Sequence, residues 1–319
     1  MTLPLLPFDR SDWPIAVAMI PFPNRLPDGR AVEEQSPEEW RVTLEEVADA
    51  GFTALDPTDS WLRLADLSPA RQKAFIEVTS SLGLAIPAIS TSRRSVIDPE
   101  HGAEYLAYSH RVIDTAAAIG AGAVSFGFFG PFTEAQKKVL WFWTAPGVRN
   151  PDAPAIRRLA VERIRELGRH AGELGLEVSL EMYEDTYIGT ADGAVRFVEA
   201  VGLPNVGINA DIGNLIRLHR PVETWQAMME KVAPWMKYWH VKNYLRMEEP
   251  ATGAVMTHPA PLESGTINYR EAIRIALAHG FRSAFLLESY GGDGLDVCAT
   301  NHRYLRRVLP RRPAVGAAP

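Results

Sequence analysis

The chain has 319 residues, 46% hydrophobic and 23% charged, with 24 Gly and 24 Pro; this composition excludes a disordered chain, a collagen and a disulfide scaffold. Its single cysteine, Cys298, cannot form an internal disulfide, and a net charge of −6 argues against a nucleic-acid binder, whose affinity rests on Lys and Arg neutralising phosphates. No apolar run reaches the ~18 residues of a membrane span, and the opening MTLPLLPFDRSDW lacks a basic stretch followed by an apolar one, so neither anchor nor signal peptide is expected and the cytoplasm is the expected location.

Short β-rich runs alternate with longer helical runs. Pro14 to Ile20 reads as a first strand. Ser36-Pro37-Glu38-Glu39 then opens a helix: Ser36 caps, Pro37 suits the first helical position and Glu39 completes a capping box. Gly51 to Asp56 is a second strand, Ser68-Pro69 opens a helix that ends at Gly83, and LAIPAIS is a third strand interrupted by a proline. A helix over residues 100–119 leads to GAVSFGFF, the fourth strand. A helix over 153–174 precedes LEVSLEM, the fifth, and 190–201 is helical before NVGINAD, the sixth. A helix over 221–231 precedes MKYWHVK, the seventh; a helix over 268–278 precedes SAFLLES, the eighth; and 301–309 closes the chain as a helix.

Eight strand–helix units in order predict an α/β fold with a parallel sheet and right-handed crossovers, a (β/α)8 TIM barrel. The competitor is an open doubly wound sheet, but no GxGxxG follows any strand. Residues 1–309 read as one barrel domain with long connections over 126–150 and 243–266, and 310–319 as a disordered tail. Both connections leave C-terminal strand ends, where barrel enzymes build their sites.

Strands five to eight end on Glu181, Asp211, His240 and Glu288, separated by 30, 29 and 48 residues. In a barrel these four point into one mouth. Three carboxylates cannot sit together uncompensated, and a divalent cation is the simplest compensation, set against the alternative of four separate caps and salt bridges. One imidazole with three carboxylates is a hard set, suited to Mn2+, Mg2+ or Co2+, with Zn2+ still open.

The runs EVSLEMYED, LPNVGINADIGN, YWHVKN, SGTINYREAIRIALAHGF and FLLES together resemble the xylose isomerase-like TIM-barrel family, which includes sugar epimerases, inosose dehydratase and endonuclease IV. The resemblance covers most of the chain and is strongest over 176–289. It implies that Glu181, Asp211, His240 and Glu288 hold a divalent metal, Mn2+ foremost. Where the family often reads Asp-x-Gly-His, this chain has Asp211-Ile212-Gly213-Asn214, which argues against a multi-zinc endonuclease site. The implied chemistry is proton abstraction beside a carbonyl, through an enediolate. In the epimerase branch the two ligating glutamates also move protons, which assigns Glu181 and Glu288. Lyase-type relatives place a histidine base where this chain has Tyr183; Tyr183, Glu184 and Asp185 are substitutes, or else acidic charges before a helix. Lys242 is placed to bond a substrate oxygen, and His258 to reach the mouth from the seventh connection.

Seven aromatics, Phe126, Phe128, Phe129, Phe132, Trp141, Phe142 and Trp143, fall within 18 residues. They read as a loop mini-core or as stacking surfaces for a sugar or aryl ligand, with Phe126, Trp141 and Trp143 the candidates for contact. Arg93 and Arg94 suit an anionic group. The runs EMYEDTYIGTADGAV, NADIGNLIRLHRP and ESYGGDG resemble catalytic α subunits of C-glycoside deglycosidases. That branch implies a metal-dependent lyase on 3-oxo-C-glycosides, in which loss of the C2 proton is followed by β-elimination of the C1–aryl bond, and it implies a small β subunit in a hetero-oligomer. The alternatives are a ketose epimerase or isomerase with the same metal site, and a barrel that lost its chemistry and serves as a binding subunit.

Overall fold

A computed structural model describes residues 8–91 and 93–311; most of the expected disordered tail, 312–319, lies outside the described residues. Eight parallel strands form a nearly closed barrel: β1 (Ile15–Ala18), β2 (Leu55–Asp56), β3 (Ala88–Thr91), β4 (Ala123–Phe126), β5 (Glu177–Glu181), β6 (Val206–Asn209), β7 (Met236–Val241) and β10 (Phe285–Leu287). Their order around the sheet is β2-β1-β10-β7-β6-β5-β4-β3. The seam between β2 and β3 is closed by one bridge, Ala54 with Ala85, and by Leu55 N–H donating to the Ala85 carbonyl at 2.9 Å. Pro87 has no N–H to donate, so β3 starts only after it.

Alternation along each strand sends one residue to the lumen and the next to the helices. Mostly small side chains, with Tyr238 and Leu286, take the lumen: Ala16, Ala88 and Ala123 pack with these two there, on the same face as Ser125, Ser179 and Asn209. Val124, Phe126, Val178 and Leu180 face outward into a large core shared with the helices. Those helices are α1 (Pro37–Asp49), α2 (Thr58–Trp61), α3 (Pro69–Ser81), α4 (Gly102–Ile119), α5 (Pro154–Glu173), α6 (Ala191–Val201), α7 (Gly213–Ile216), α8 (Trp225–Val232), α9 (Tyr269–Ala278) and α10 (Gly294–Val308). The Ser36–Glu39 capping box opens α1 as the spacing predicts. Among the described residues no helix is long and apolar enough to cross a membrane.

Several elements differ from the sequence reading, among them the short helices α2 and α7, which it does not expect. The connection 243–266 holds an antiparallel hairpin, β8 (Asn243–Glu249) and β9 (Ala254–Ala260). Its Arg, Glu and Met residues have weak strand propensity, and cross-strand pairing overrides it. Helix α10 starts at Gly294, seven residues before Asn301, because Asp293 caps it by accepting from the Asp296 N–H at 3.0 Å. Helix α8 starts at Trp225 rather than 221, where Thr224 caps by accepting from the Ala227 N–H at 3.3 Å. The 126–150 connection carries only two 3₁₀ turns, Gln136–Lys138 and Phe142–Thr144.

Candidate active site and metal centre

Parallel strands end together at one rim, and four neighbouring ends bring Glu181, Asp211, His240 and Glu288 to one point. One oxygen or nitrogen from each lies within 4.8 Å of the others, and all four side chains are buried. His240 Nδ1 is 3.2 Å from Glu288 Oε1, 3.8 Å from Glu181 Oε1 and 4.0 Å from Asp211 Oδ2. Lys242, two residues beyond His240 on the same side, is buried too, and its ammonium pairs with Asp211 and Glu288.

The tautomer of His240 is set from behind. Ser90 donates its hydroxyl to Asp56 Oδ2 at 2.6 Å, so its oxygen is left to accept from His240 Nε2–H at 3.1 Å. Asp56 is itself held by the N–H groups of Thr58 and Ser90 and by the Tyr238 hydroxyl. His240 Nδ1 therefore faces the tetrad, and both it and Asp211 Oδ1 are buried with no hydrogen-bond partner among the described residues. A carboxylate behind a histidine is the usual support of a metal-ligating imidazole. Donor set, burial and unpaired atoms all fit a hard divalent cation.

Other side chains hold the tetrad in place. Asn214 Nδ2 donates to Glu181 Oε1 at 3.1 Å and to the Met182 carbonyl at 3.0 Å, while Asn209 Oδ1 accepts from the His240 N–H at 2.8 Å. A Cβ on Gly213 would lie 2.8 Å from Lys242 Cγ, so glycine there lets the lysine chain pass. Among the protein groups alone, burial pulls His240 down, but Glu181 and Glu288 hold it up at about 10. Burial pushes Asp211 up to about 7 against the pull of Lys242. Burial opposes the ionisation of Glu288, yet Lys242 and His240 hold it well below the usual carboxylate range.

A cleft of about 720 Å³ opens over the tetrad. Glu181, Glu288, Tyr183 and Arg93 line it, as do Tyr290 and, from the segments that follow the first three strands, Asn24, Thr58, Asp59, Arg63, Arg94 and Tyr105. Arg94 pairs with Asp59 at 2.9 Å. Arg93 is stacked over Phe129, Phe132 and Phe142, with 4.5 Å to the Phe132 ring centre. Phe126, Trp141, Trp143 and His258 are not among its lining residues. Phe126 is an outward position of β4 and packs under the helices. Trp141 and Trp143 stack at 5.0 Å, and Trp143 packs on Tyr244 and Tyr290, so the aromatic connection makes a roof. His258 is exposed on β9, its ring 6.2 Å from Trp141.

Glu184 and Asp185 are both paired, with Arg217 at 3.0 Å and Arg220 at 3.1 Å. Asp56, Ser90 and Arg217 carry no signal in the sequence beyond the ends of strands two and three for the first two; in NLIRLHRP, Arg217 reads as an ordinary helix-end charge.

The structure is similar to that of a xylose isomerase-like TIM barrel protein from Mycobacterium smegmatis in complex with magnesium. The two share 46% identity and a TM-score of 0.91, covering 94% of this chain and 98% of the other. A ketose 3-epimerase from Arthrobacter globiformis is 29% identical over 179 residues, 54% of this chain; the match spans 55% of that relative's length. A D-psicose 3-epimerase from Clostridium cellulolyticum, solved with D-tagatose, shares the fold at a TM-score of 0.65 and 14% identity, covering 93% of this chain and 99% of that one. Residues 44–308 match the sequence profile of the xylose isomerase-like TIM barrel, and the chain belongs to that family.

Proposed function

We propose that the chain is a divalent-metal-dependent epimerase or isomerase of a keto sugar, moving a proton at a carbon beside the carbonyl. The observation that carries this is the buried tetrad at the floor of a polar cleft. Glu181, Asp211, His240 and Glu288 would hold the cation. Mg2+ comes first, because the 46% identical relative was solved with magnesium, ahead of the Mn2+ that the sequence resemblance favours. A bound cation supplies a positive charge that polarises the carbonyl and favours the enediolate.

Glu181 and Glu288 both reach the cleft; one removes the proton and the other returns it, to the opposite face for epimerisation or to the neighbouring carbon for isomerisation. Lys242 supplies a buried ammonium whose N–H groups can donate to the developing oxyanion. Tyr183 and Arg93 stand on the cleft wall as substrate contacts, and Trp141 and Trp143 close the site from above. The ketose 3-epimerase relative supports this reading.

The second reading, a lyase on 3-oxo-C-glycosides, shares the first proton step, and a 720 Å³ cleft leaves space beyond the reacting sugar for an aglycone. One experiment separates the two. The Mg2+-loaded protein is incubated in D2O with ketoses, and with a 3-oxo-C-glycoside in the presence and absence of a small second subunit. Deuterium at the carbon beside the carbonyl of a recovered ketose supports the epimerase. Aglycone release supports the lyase. Neither result in any mixture rejects both.

A further inference from the structure

Beneath the aromatic roof, beside the tetrad, buried polar atoms without hydrogen-bond partners are concentrated in one place. They are Arg217 Nε and Nη1, Trp143 Nε1, and the hydroxyls of Tyr183 and Tyr244. Buried polar groups are nearly always hydrogen-bonded, so five such atoms on four neighbouring side chains call for an explanation. The side chains form one box: Arg217 Cζ lies 4.7 Å from the Trp143 ring centre and 5.1 Å from that of Tyr183, and the Trp143 and Tyr244 rings are 5.5 Å apart.

The ion pair with Glu184 does not account for the box. Arg217 uses only Nη2 for it, donating at 3.1 and 3.0 Å to the two Glu184 oxygens. The residue is also fixed from below, where Thr257 Oγ1 of β9 donates to the Arg217 carbonyl at 2.6 Å. The box abuts both cleft and tetrad. Tyr183 and Tyr290 line the cleft, and the Tyr290 ring centre is 5.8 Å from Arg217 Cζ and 5.7 Å from Lys242 Nζ.

We propose that this box is an oxygen-binding subsite for the hydroxyl groups at the end of the ketose remote from the reacting carbonyl. Guanidinium and indole N–H groups only donate, and the tyrosine hydroxyls both donate and accept, which matches a sugar hydroxyl. Glu184 already balances the Arg217 charge, so the box suits neutral hydroxyls rather than a carboxylate or phosphate. The proposal rests on the keto-sugar reading above and specifies which part of the sugar is recognised where.

The test uses Trp143→Phe and Tyr244→Phe, each keeping a ring and removing a polar atom, and Arg217→Lys, which keeps the charge beside Glu184. For Mg2+-loaded proteins, kcat and KM are measured with D-tagatose and with 6-deoxy-D-tagatose, together with Tm. The expected result is a rise of about tenfold in KM for D-tagatose in each variant, with little change for the deoxy sugar, since a site built to bond a hydroxyl discriminates against its loss. Equal shifts for both sugars, or none, overturn the subsite while leaving the epimerase reading standing. If the wild type moves no proton in D-tagatose, that reading fails for this sugar, and the subsite is judged by binding alone. The 15N-labelled indole resonance of Trp143, assigned with Trp143→Phe, is followed on adding D-tagatose. A saturable shift supports the subsite, and no shift at any attainable sugar concentration overturns it.

Discussion

The two sides of the barrel are built differently. Strands β3 to β6 pair over four residues at each interface; β6 then pairs with β7 through a register shift at Ile208–Asn209, and β7 pairs with β10 over three residues. All four members of the tetrad stand on the β5-to-β10 side. The β1-to-β3 side contains the two-residue β2 and a seam closed by a single bridge. It supplies no member of the tetrad but contributes Asp56 and Ser90 behind His240 and most of the outer cleft wall. Groups that converge within a few ångströms sit at or just past the ends of β5, β6, β7 and β10, while the looser side backs His240 and shapes the entry. A site held by rigid strands is more reproducible than one on loops.

The largest expected effect comes from breaking the ladder side. Glu288→Gln should lower kcat by about a thousandfold or more, because it removes an acid–base group and a ligand charge together. Circular dichroism should stay close to wild type, because glutamine fills the same space, while Tm without metal should fall, because buried Lys242 and His240 lose a carboxylate partner. Full activity in this variant would remove Glu288 from the site.

Lys242→Met comes next. It leaves Asp211 and Glu288 buried without their cation, a loss of about 3–5 kcal/mol for breaking such a pair. Without added metal, Tm should therefore fall clearly. Mg2+ should restore most of it, as the added charge replaces the ammonium; a Tm that Mg2+ does not move would argue that the carboxylates do not hold the ion.

Ser90→Ala tests the other side. Removing the hydroxyl between Asp56 and His240 should weaken Mg2+ binding by about 10–100-fold, the usual effect of losing an outer partner of a ligand. Calorimetric titration reads this directly, and an unchanged affinity would show that His240 needs no support from β3.

The last test sharpens the comparison through pH, without a substitution. His240 is held up at about 10 by the glutamates of the ladder side. Below that pH the imidazole carries a proton that a cation must displace, so affinity rises with pH. Over pH 7 to 9 the Mg2+ association constant should climb by up to about tenfold per unit, and level off once the proton is gone. A flat profile would place His240 outside the metal-binding set.

The barrel was legible because each strand–helix unit carries its own local signals. Ser36 and Glu39 cap α1, apolar runs mark the strands, and Gly120 ends α4 in the left-handed conformation that glycine favours. The tetrad was legible because each member ends its own strand, so counting strands is enough to bring the four together. The hairpin β8–β9 was not, since Arg246, Glu248 and Glu249 belong to a strand only by virtue of the partner opposite. The first turns of α10 were missed because Val297, Cys298 and Thr300 are weak helix formers held by packing.

By itself, the sequence determined the order of elements, the parallel barrel and the four strand-end residues that converge, because these follow from local periodicity and a simple topological rule. Only the tertiary structure decided the relay from Asp56 through Ser90 to His240, the pairing of Lys242 with Asp211 and Glu288, and the aromatic box around Arg217. Each of these joins residues roughly thirty to 180 positions apart in the chain, and which polar atoms find partners depends on three-dimensional packing that no local pattern encodes.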